Sequence, residues 1–363
     1  MPETQAVLPP GTDARGVVSA LAHEGVVRRL YPRGAAGGLD PVLLRRLLGE
    51  ADARGPQGLV LALLVQWATA VPLLADAASS PLAEKVLRSA LDGETLLALA
   101  ATDEGAGSDL AALGTRVRIP DGTGDGDLTV DGTKRWVTSA TTADHALVLA
   151  RHRPGRHFTS FTWVLVPLDA PGVTVRPADT PLFTGSGVGH VAFEDVRLGR
   201  EHLLGRPGRG LALFARHIAV ERLASAAWGV ELCRRVVAET ARHLARREVD
   251  GTPLDRHPAV RQRLAGCAVR TAALHALWTT SRDAVADGHD GAAAAVLKAA
   301  SGTTVDHVLT VCAQLQGADG FAAGGIQQLR SEAALFGIGG GATEVVLDTV
   351  ADRLPSVLDG LAP

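Results

Sequence analysis

Residues 102–107 read Thr-Asp-Glu-Gly-Ala-Gly and lead into Ser108 and Asp109, while residues 132–140 read Gly-Thr-Lys-Arg-Trp-Val-Thr-Ser-Ala. The first block is a glycine-rich turn with hydroxyls at Thr102 and Ser108 and a backbone that a ligand can approach closely. The second places Trp136, one of only five tryptophans, two residues before Thr138. On an alternating strand Trp136 and Thr138 take one side, and Val137 and Ser139 the other. An aromatic plane beside small hydroxyls and exposed amides suits a flat ligand rich in heteroatoms. Taken alone, the same residues also describe an ordinary β-turn and a buried tryptophan.

A candidate base lies further on. From about Gly208 an apolar stripe runs Leu211, Phe214, Ile218, then Glu221, Ser225, Trp228 and Leu232, at helical spacings of three and four. Glu221 thus occupies a face that otherwise reads as buried. A carboxylate there loses hydration and gains strength as a base. Pairing of Glu221 with an arginine is the plainer alternative, because Arg222 follows it directly.

These residues need elements to hold them. From about Asp13 to Ala98 the pattern is helical, as in PVLLRRLLGEADA and PLAEKVLRSALDG. From Leu99 to about Leu204 it turns strand-like, in short runs such as TRVRIP, HALVLAR, FTWVLVPL and GHVAFEDVRL. From Gly208 long helical patterns return, broken near 251–253, 288–291 and 317–325. The expected organisation is a segregated α+β chain: a helical domain over 1–98, a β domain over 99–207 and a helical bundle over 208–363. Two other glycine-rich runs, 185–190 and 337–341, lack the strand–helix context of a nucleotide-binding loop.

Composition bounds the function. The chain has 363 residues, 46% of them hydrophobic and 21% charged, which is enough for two or three globular domains. A formal charge of −3 argues against nucleic acid as the main partner. Cys233, Cys267 and Cys312 are odd in number and far apart, so they read as buried thiols of a reducing compartment, with neither a disulfide framework nor a metal site. The 18 apolar residues from Gly58 to Ala75 barely reach the length needed to cross a bilayer and carry Gln66, Trp67, Thr69 and Pro72. We expect a buried helix there, no membrane partner and a cytoplasmic protein.

The two opening motifs resemble the acyl-CoA dehydrogenase family, whose flavin is framed by a TEPxAGSD-like turn and a GxKxWITN/S-like strand. The resemblance covers roughly residues 30–353. It includes YPRGAAGG at 31–38, GHVAFEDVRLGREHLLGRPGRG at 189–210, Lys298 in AAVLKAAS, QLQGADGF at 314–321 and GGGATEVV at 339–346. It implies an N-terminal helical domain, a middle β-barrel or sandwich domain, a C-terminal four-helix bundle and FAD as cofactor. By the same resemblance, Thr102, Ser108, Trp136 and Thr138 match positions on the flavin ring, and Ser108 and Arg222 positions on the substrate side. Arg247, Gln314 and Gly317 match positions on the ADP part of FAD, reached across a subunit interface, so a homodimer or homotetramer is implied. Asp103-Glu104 stands where the family has Glu-Pro, and Asp250 where it has Phe.

The implied chemistry is removal of an α-proton and a β-hydride from an acyl thioester. Many members carry their base in an IYEGT-like segment, but this chain has Gly340 at that position. A family branch places its catalytic Glu on the first helix of the C-terminal bundle, immediately before an Arg, and Glu221-Arg222 matches it. Gly340 then offers a backbone N–H to the thioester oxygen. CoA and a carrier-protein phosphopantetheine arm present the same thioester, and an electron-transfer flavoprotein or another acceptor takes the electrons. The Ala/Arg/Gly-rich composition suggests a high-GC bacterial source, in which such enzymes also serve secondary metabolism. Two competing readings stay open: a flavin monooxygenase on the same scaffold, and a non-catalytic thioester binder that has lost its base.

Overall fold

The computed structural model describes residues 13–107, 109–120 and 127–359. In chain order the helices are α1 (Ala14–His23), α2 (Val26–Leu30), α3 (Pro41–Arg54), α4 (Gln57–Val65), α5 (Val71–Ala77) and α6 (Pro81–Leu91), with a π turn at Gln66–Ala70 joining α4 to α5. The strands are β1 (Leu97–Ala100), β2 (Arg116–Arg118), β3 (Leu128–Val137), β4 (His145–Arg151), β5 (Phe161–Pro167), β6 (Val173–Pro177), β7 (Gly189–Leu198) and β8 (Leu203–Leu204). There follow α7 (Gly210–Leu244), a short hairpin of β9 (Glu248–Val249) and β10 (Thr252–Pro253), α8 (Pro258–Gly288), α9 (Gly291–Gln316), α10 (Ile326–Ala333), α11 (Thr343–Ala351) and α12 (Leu354–Asp359). Helices, then a mixed sheet, then helices is the expected order.

Compactness divides the chain at other points than its changes of texture. One unit comprises residues 1–40 and 54–221, the other 41–53 and 222–363. The last of the three divisions falls inside α7, between Glu221 and Arg222.

In the first unit the sheet runs β6-β7-β3-β2-β4-β5-β8, with β1 also pairing β4. β1 and β2 run parallel to β4, and the other neighbours are antiparallel. β4 and β5 are buried along nearly their whole length, which explains why HALVLAR and FTWVLVP read as continuous apolar runs and do not alternate. Their inward residues join Val130, Val191, Phe193 and Val196 in one core. β1 straddles the expected boundary at residue 98, because LLALA carries no turn signal to separate helix from strand.

Local chemistry sets the helix ends. Asp13 accepts the Gly16 N–H at 2.8 Å to cap α1, and Ser80 caps α6 just before Pro81. The start of α7 is seated on the sheet: Trp163 Nε1 donates to the Gly210 carbonyl at 2.9 Å, and its ring stacks on Phe214 at 6.2 Å. Gly210 permits this approach, since a β-carbon there would lie 2.8 Å from the Phe161 carbonyl carbon. The segment Gln57–Ala77 has 21 residues and a mean hydropathy of 2.0, and 89% of its most apolar window is buried inside the protein. It is the core helix of this unit; Leu63, Leu64 and Trp67 are all core residues.

The second unit is a helical bundle. α3 is tied to α7 by Arg235 on Asp52 (2.7 Å) and by Arg45 on Glu231 (2.7 Å), with the Arg45 guanidinium over the buried Trp278 ring. Trp228 packs on Phe336 at 4.7 Å, and the fully buried Lys298 ammonium donates to the Phe336 carbonyl. Gly302 allows that segment to lie close, since a β-carbon would come within 2.9 Å of the same carbonyl oxygen. Cys233, Cys267 and Cys312 are buried free thiols on α7, α8 and α9.

Candidate active site

The glycine-rich turn at 102–107 is bolted to β3 by a buried ion pair. Asp103 is 6% exposed and Lys134 fully buried, with Lys134 Nζ 2.5 Å from Asp103 Oδ1 and 3.0 Å from the Ala101 carbonyl. The same carboxylate accepts the N–H groups of Gly114 and Thr115 at 2.7 and 2.6 Å and the Thr115 hydroxyl at 2.9 Å. The Arg135 N–H donates to the Thr102 carbonyl at 2.9 Å. Burial pulls the Lys134 ammonium down to about pKa 8, against the pull of Asp103 in the other direction. Asp103, where the family has Glu, is therefore the hub that joins the turn, β2 and β3.

Next to this hub, β3 is irregular. Its pairing with β7 slips between Lys134 and Val137, and Trp136 and Ser139 have φ of 55° and 63°. The strand ends at Val137, so Thr138 and Ser139 belong to a turn, where regular alternation had been expected. The expected sidedness nonetheless holds: Val137 and Ser139 are buried, Thr138 is partly exposed, and Trp136 is 56% exposed. The plain alternative of a buried tryptophan is thus excluded. His190 on β7 carries no motif that marks it out in the sequence. It accepts the Trp136 N–H at Nδ1 (3.1 Å) and meets the indole edge-on at 5.4 Å. Burial and nearby Arg135 lower its pKa, so the neutral ring that accepts this bond is favoured.

An exposed indole held by a left-handed backbone, with Thr138 beside it and the glycine-rich turn hydrogen-bonded to the same strand, fits a flat heteroaromatic ring system. FAD therefore fits the residues present. Ser108, expected to touch both flavin and substrate, lies outside the described residues.

A hollow of about 920 Å³ opens beside β2, lined by Arg116, Arg118, Arg151, Arg153 and Arg156 together with Asp131 and neighbouring residues of the 112–114 and 152–155 segments. Arg151 is structural, donating to the carbonyls of Ala111 and Leu113. Arg116 and Arg118 sit two residues apart on one side of β2 and are exposed.

Glu221 lies on α7 in the first unit, with Val220 and Ile218 buried beside it. It is partly buried, and its Oε2 accepts the hydroxyl of Thr69 at 2.8 Å. One turn earlier, His217 Nε2 and Arg216 Nη1 both meet Asp76 Oδ2 at 3.1 Å. In the second unit Arg222 Nε donates to the Gly340 carbonyl at 2.9 Å. Gly340 and Gly341 have φ of 70° and 108°, values that favour glycine. Arg222 thereby anchors the 340–341 peptide, a role the sequence did not disclose.

The second unit also gathers Arg247, Gln314 and Gly317 at an exposed end. Arg247 Nη1 is 2.5 Å from Asp319 in the turn that starts at Gly317, and Gln314 accepts from Arg263. Phe321, in the same turn, is 75% exposed.

Residues 98–196 match the family description "Acyl-CoA dehydrogenase, middle domain" and residues 208–354 match "Acyl-CoA dehydrogenase, C-terminal domain". The chain is similar to a benzylmalonyl-CoA dehydrogenase of Aromatoleum aromaticum, at 27% identity over 94% of this chain and 90% of that protein. It is also similar to an acyl-[acyl-carrier-protein] dehydrogenase of Mycobacterium sp. strain MCS, at 29% identity over 80% of this chain and 74% of that one. Among solved structures, an acyl-CoA dehydrogenase from Geobacillus kaustophilus superposes with a TM-score of 0.86 at 21% identity, covering 94% of this chain and 90% of its own. An FAD complex of PigA superposes with a TM-score of 0.82 at 19% identity, covering 94% of each chain. The fold, the two matched domains and the flavin-type motifs agree, and this chain belongs to the acyl-CoA dehydrogenase family.

Proposed function

We propose that the protein is an FAD-dependent dehydrogenase that introduces an α,β double bond into an acyl thioester, with Glu221 as the base. The observation that carries this reading is the Glu221 carboxylate on α7, gripped by a buried hydroxyl, in a chain whose family-typical base position is Gly340. Bound flavin supplies the acceptor for the β-hydride. Glu221 takes the α-proton onto its carboxylate. Within the second unit Arg222 steadies the peptide at Gly340, whose N–H the family resemblance assigns to the thioester carbonyl, a contact that needs no side chain. Thr102 and Thr138 offer hydroxyls to the ring edge, and Trp136 offers its plane.

Arg116 and Arg118, exposed on one side of β2 at the hollow, support a substrate with phosphate on its carrier, as in CoA or a phosphopantetheine arm. Both carriers occur among the relatives. Mixing the protein anaerobically with acyl-CoA and acyl-carrier-protein thioesters tests the function. Bleaching of flavin by the thioester alone, with enoyl product, is expected. Reduction only by an added flavin reductase, followed by oxygen incorporation, indicates the monooxygenase; a protein that cannot be loaded with FAD indicates the binder.

Homo-oligomeric assembly belongs to the same reading. Arg247, Gln314, Gly317 and the exposed Phe321 share one end of the second unit, and the resemblance assigns the first three to a neighbour's FAD. Sedimentation should give a dimer or tetramer, and a flavin-loaded monomer at micromolar concentration would contradict it.

A further inference from the structure

We infer that Thr69 is the positioning residue for Glu221, presented by the π turn at Gln66–Ala70; the inference rests on Glu221 being the base. A buried threonine within a helix ordinarily donates its hydroxyl to a carbonyl three or four residues back. The more exposed Thr271, Thr279 and Thr303 do so here, on Cys267, His275 and Ala299. Thr69 is fully buried, yet its hydroxyl reaches across 152 residues of sequence to the Glu221 carboxylate.

The π turn explains how. The Val71 N–H bonds five residues back, to the Gln66 carbonyl, so one extra residue is fitted into the coil and the side chains after it rotate by about 100°. The turn is clamped on both flanks. The buried Tyr31 hydroxyl donates to the Trp67 carbonyl at 2.6 Å. The Gln66 side chain accepts the Leu97 N–H at 2.8 Å and donates to the Thr95 carbonyl at 3.3 Å, tying the turn to the start of β1. With its backbone pinned at Gln66 and Trp67, Thr69 has one fixed direction for its hydroxyl proton. A donor held on Oε2 sets the plane of the carboxylate and with it the direction from which the other oxygen accepts a proton.

Replacing Thr69 by Val keeps the branched shape and removes the donor. The anaerobic rate of flavin reduction by substrate should fall about tenfold, with substrate affinity and flavin content unchanged. Thr69→Ser should recover most of the rate, and Thr69→Ala provides a second hydroxyl-free variant if the valine packs poorly. In a Glu221→Gln background, Thr69→Val should cost nothing further, because its effect passes through the carboxylate. Full activity of Thr69→Val, equal loss in Ser and Val, or an undiminished loss in the Gln background each overturns the inference. A fully active Glu221→Gln protein would instead remove the base reading itself.

Discussion

Glu221→Gln should lower the rate of flavin reduction by an acyl thioester by about 10²–10⁴ while flavin content stays near wild type. The amide keeps the size of the carboxylate and a partner for the Thr69 hydroxyl, but it cannot accept the α-proton. Stopped-flow bleaching under anaerobic conditions reads the chemical step directly, and absorbance of the resting protein reads flavin content. No residue of the glycine run at 339–341 has a side chain that could take over as base. A Gln variant that bleaches as fast as wild type therefore sends the search for the base elsewhere in the protein. A variant that loses flavin as well as activity would mean that Glu221 supports the cofactor site.

Breaking the Asp103–Lys134 pair should have the largest effect on stability. Lys134→Met strands a buried carboxylate, and Asp103→Ala strands a buried ammonium and releases the Gly114 and Thr115 amides. Either change should cost about 3–5 kcal/mol, the range for uncoupling a buried ion pair. Because Asp103 holds the turn that carries Thr102, flavin should be released at a lower temperature than in wild type, seen as the rise in flavin fluorescence on heating. The double variant Asp103→Leu/Lys134→Met removes both charges and should recover part of the loss. Single variants that release flavin at the wild-type temperature would show that the pair is not what fixes the turn.

The sheet and helices were legible because their signals are local. The buried runs of five residues in β4 and six in β5, and the three-four spacing along α7, are properties of contiguous sequence. The same holds for the sidedness of Trp136 against Val137. What the sequence concealed are features that break local rules. Strict alternation puts Lys134 on the side of Trp136, yet one is fully buried and the other 56% exposed, because the slip between Lys134 and Val137 reverses the pattern between them. Gln66, Trp67 and Thr69 were visible as interruptions of an apolar run, but nothing nearby indicated a π turn. Partners far along the chain were hidden as well, among them Thr69 for Glu221 and Asp52 for Arg235, 183 residues away. His190 gave no signal at all, being one of 12 histidines on an ordinary strand.

The segment from Gln57 to Ala77 has one residue more than a regular α-helix would need to span the same length, and that surplus restricts which descendants of this sequence can work. Losing any single residue between Gln66 and Ala70 would leave an apolar helix that still folds, with tighter bonding than before. It would also turn the faces on either side of the site by about 100° relative to each other, carrying the hydroxyl at position 69 away from α7. Apart from Gln66 and Thr69, whose polar groups hold the site, substitution can be tolerated along this helix as long as it stays apolar, whereas its length cannot drift by even one. Length here is therefore inherited more strictly than composition, and a relative that lacks the extra residue would have to hold its carboxylate by some other means.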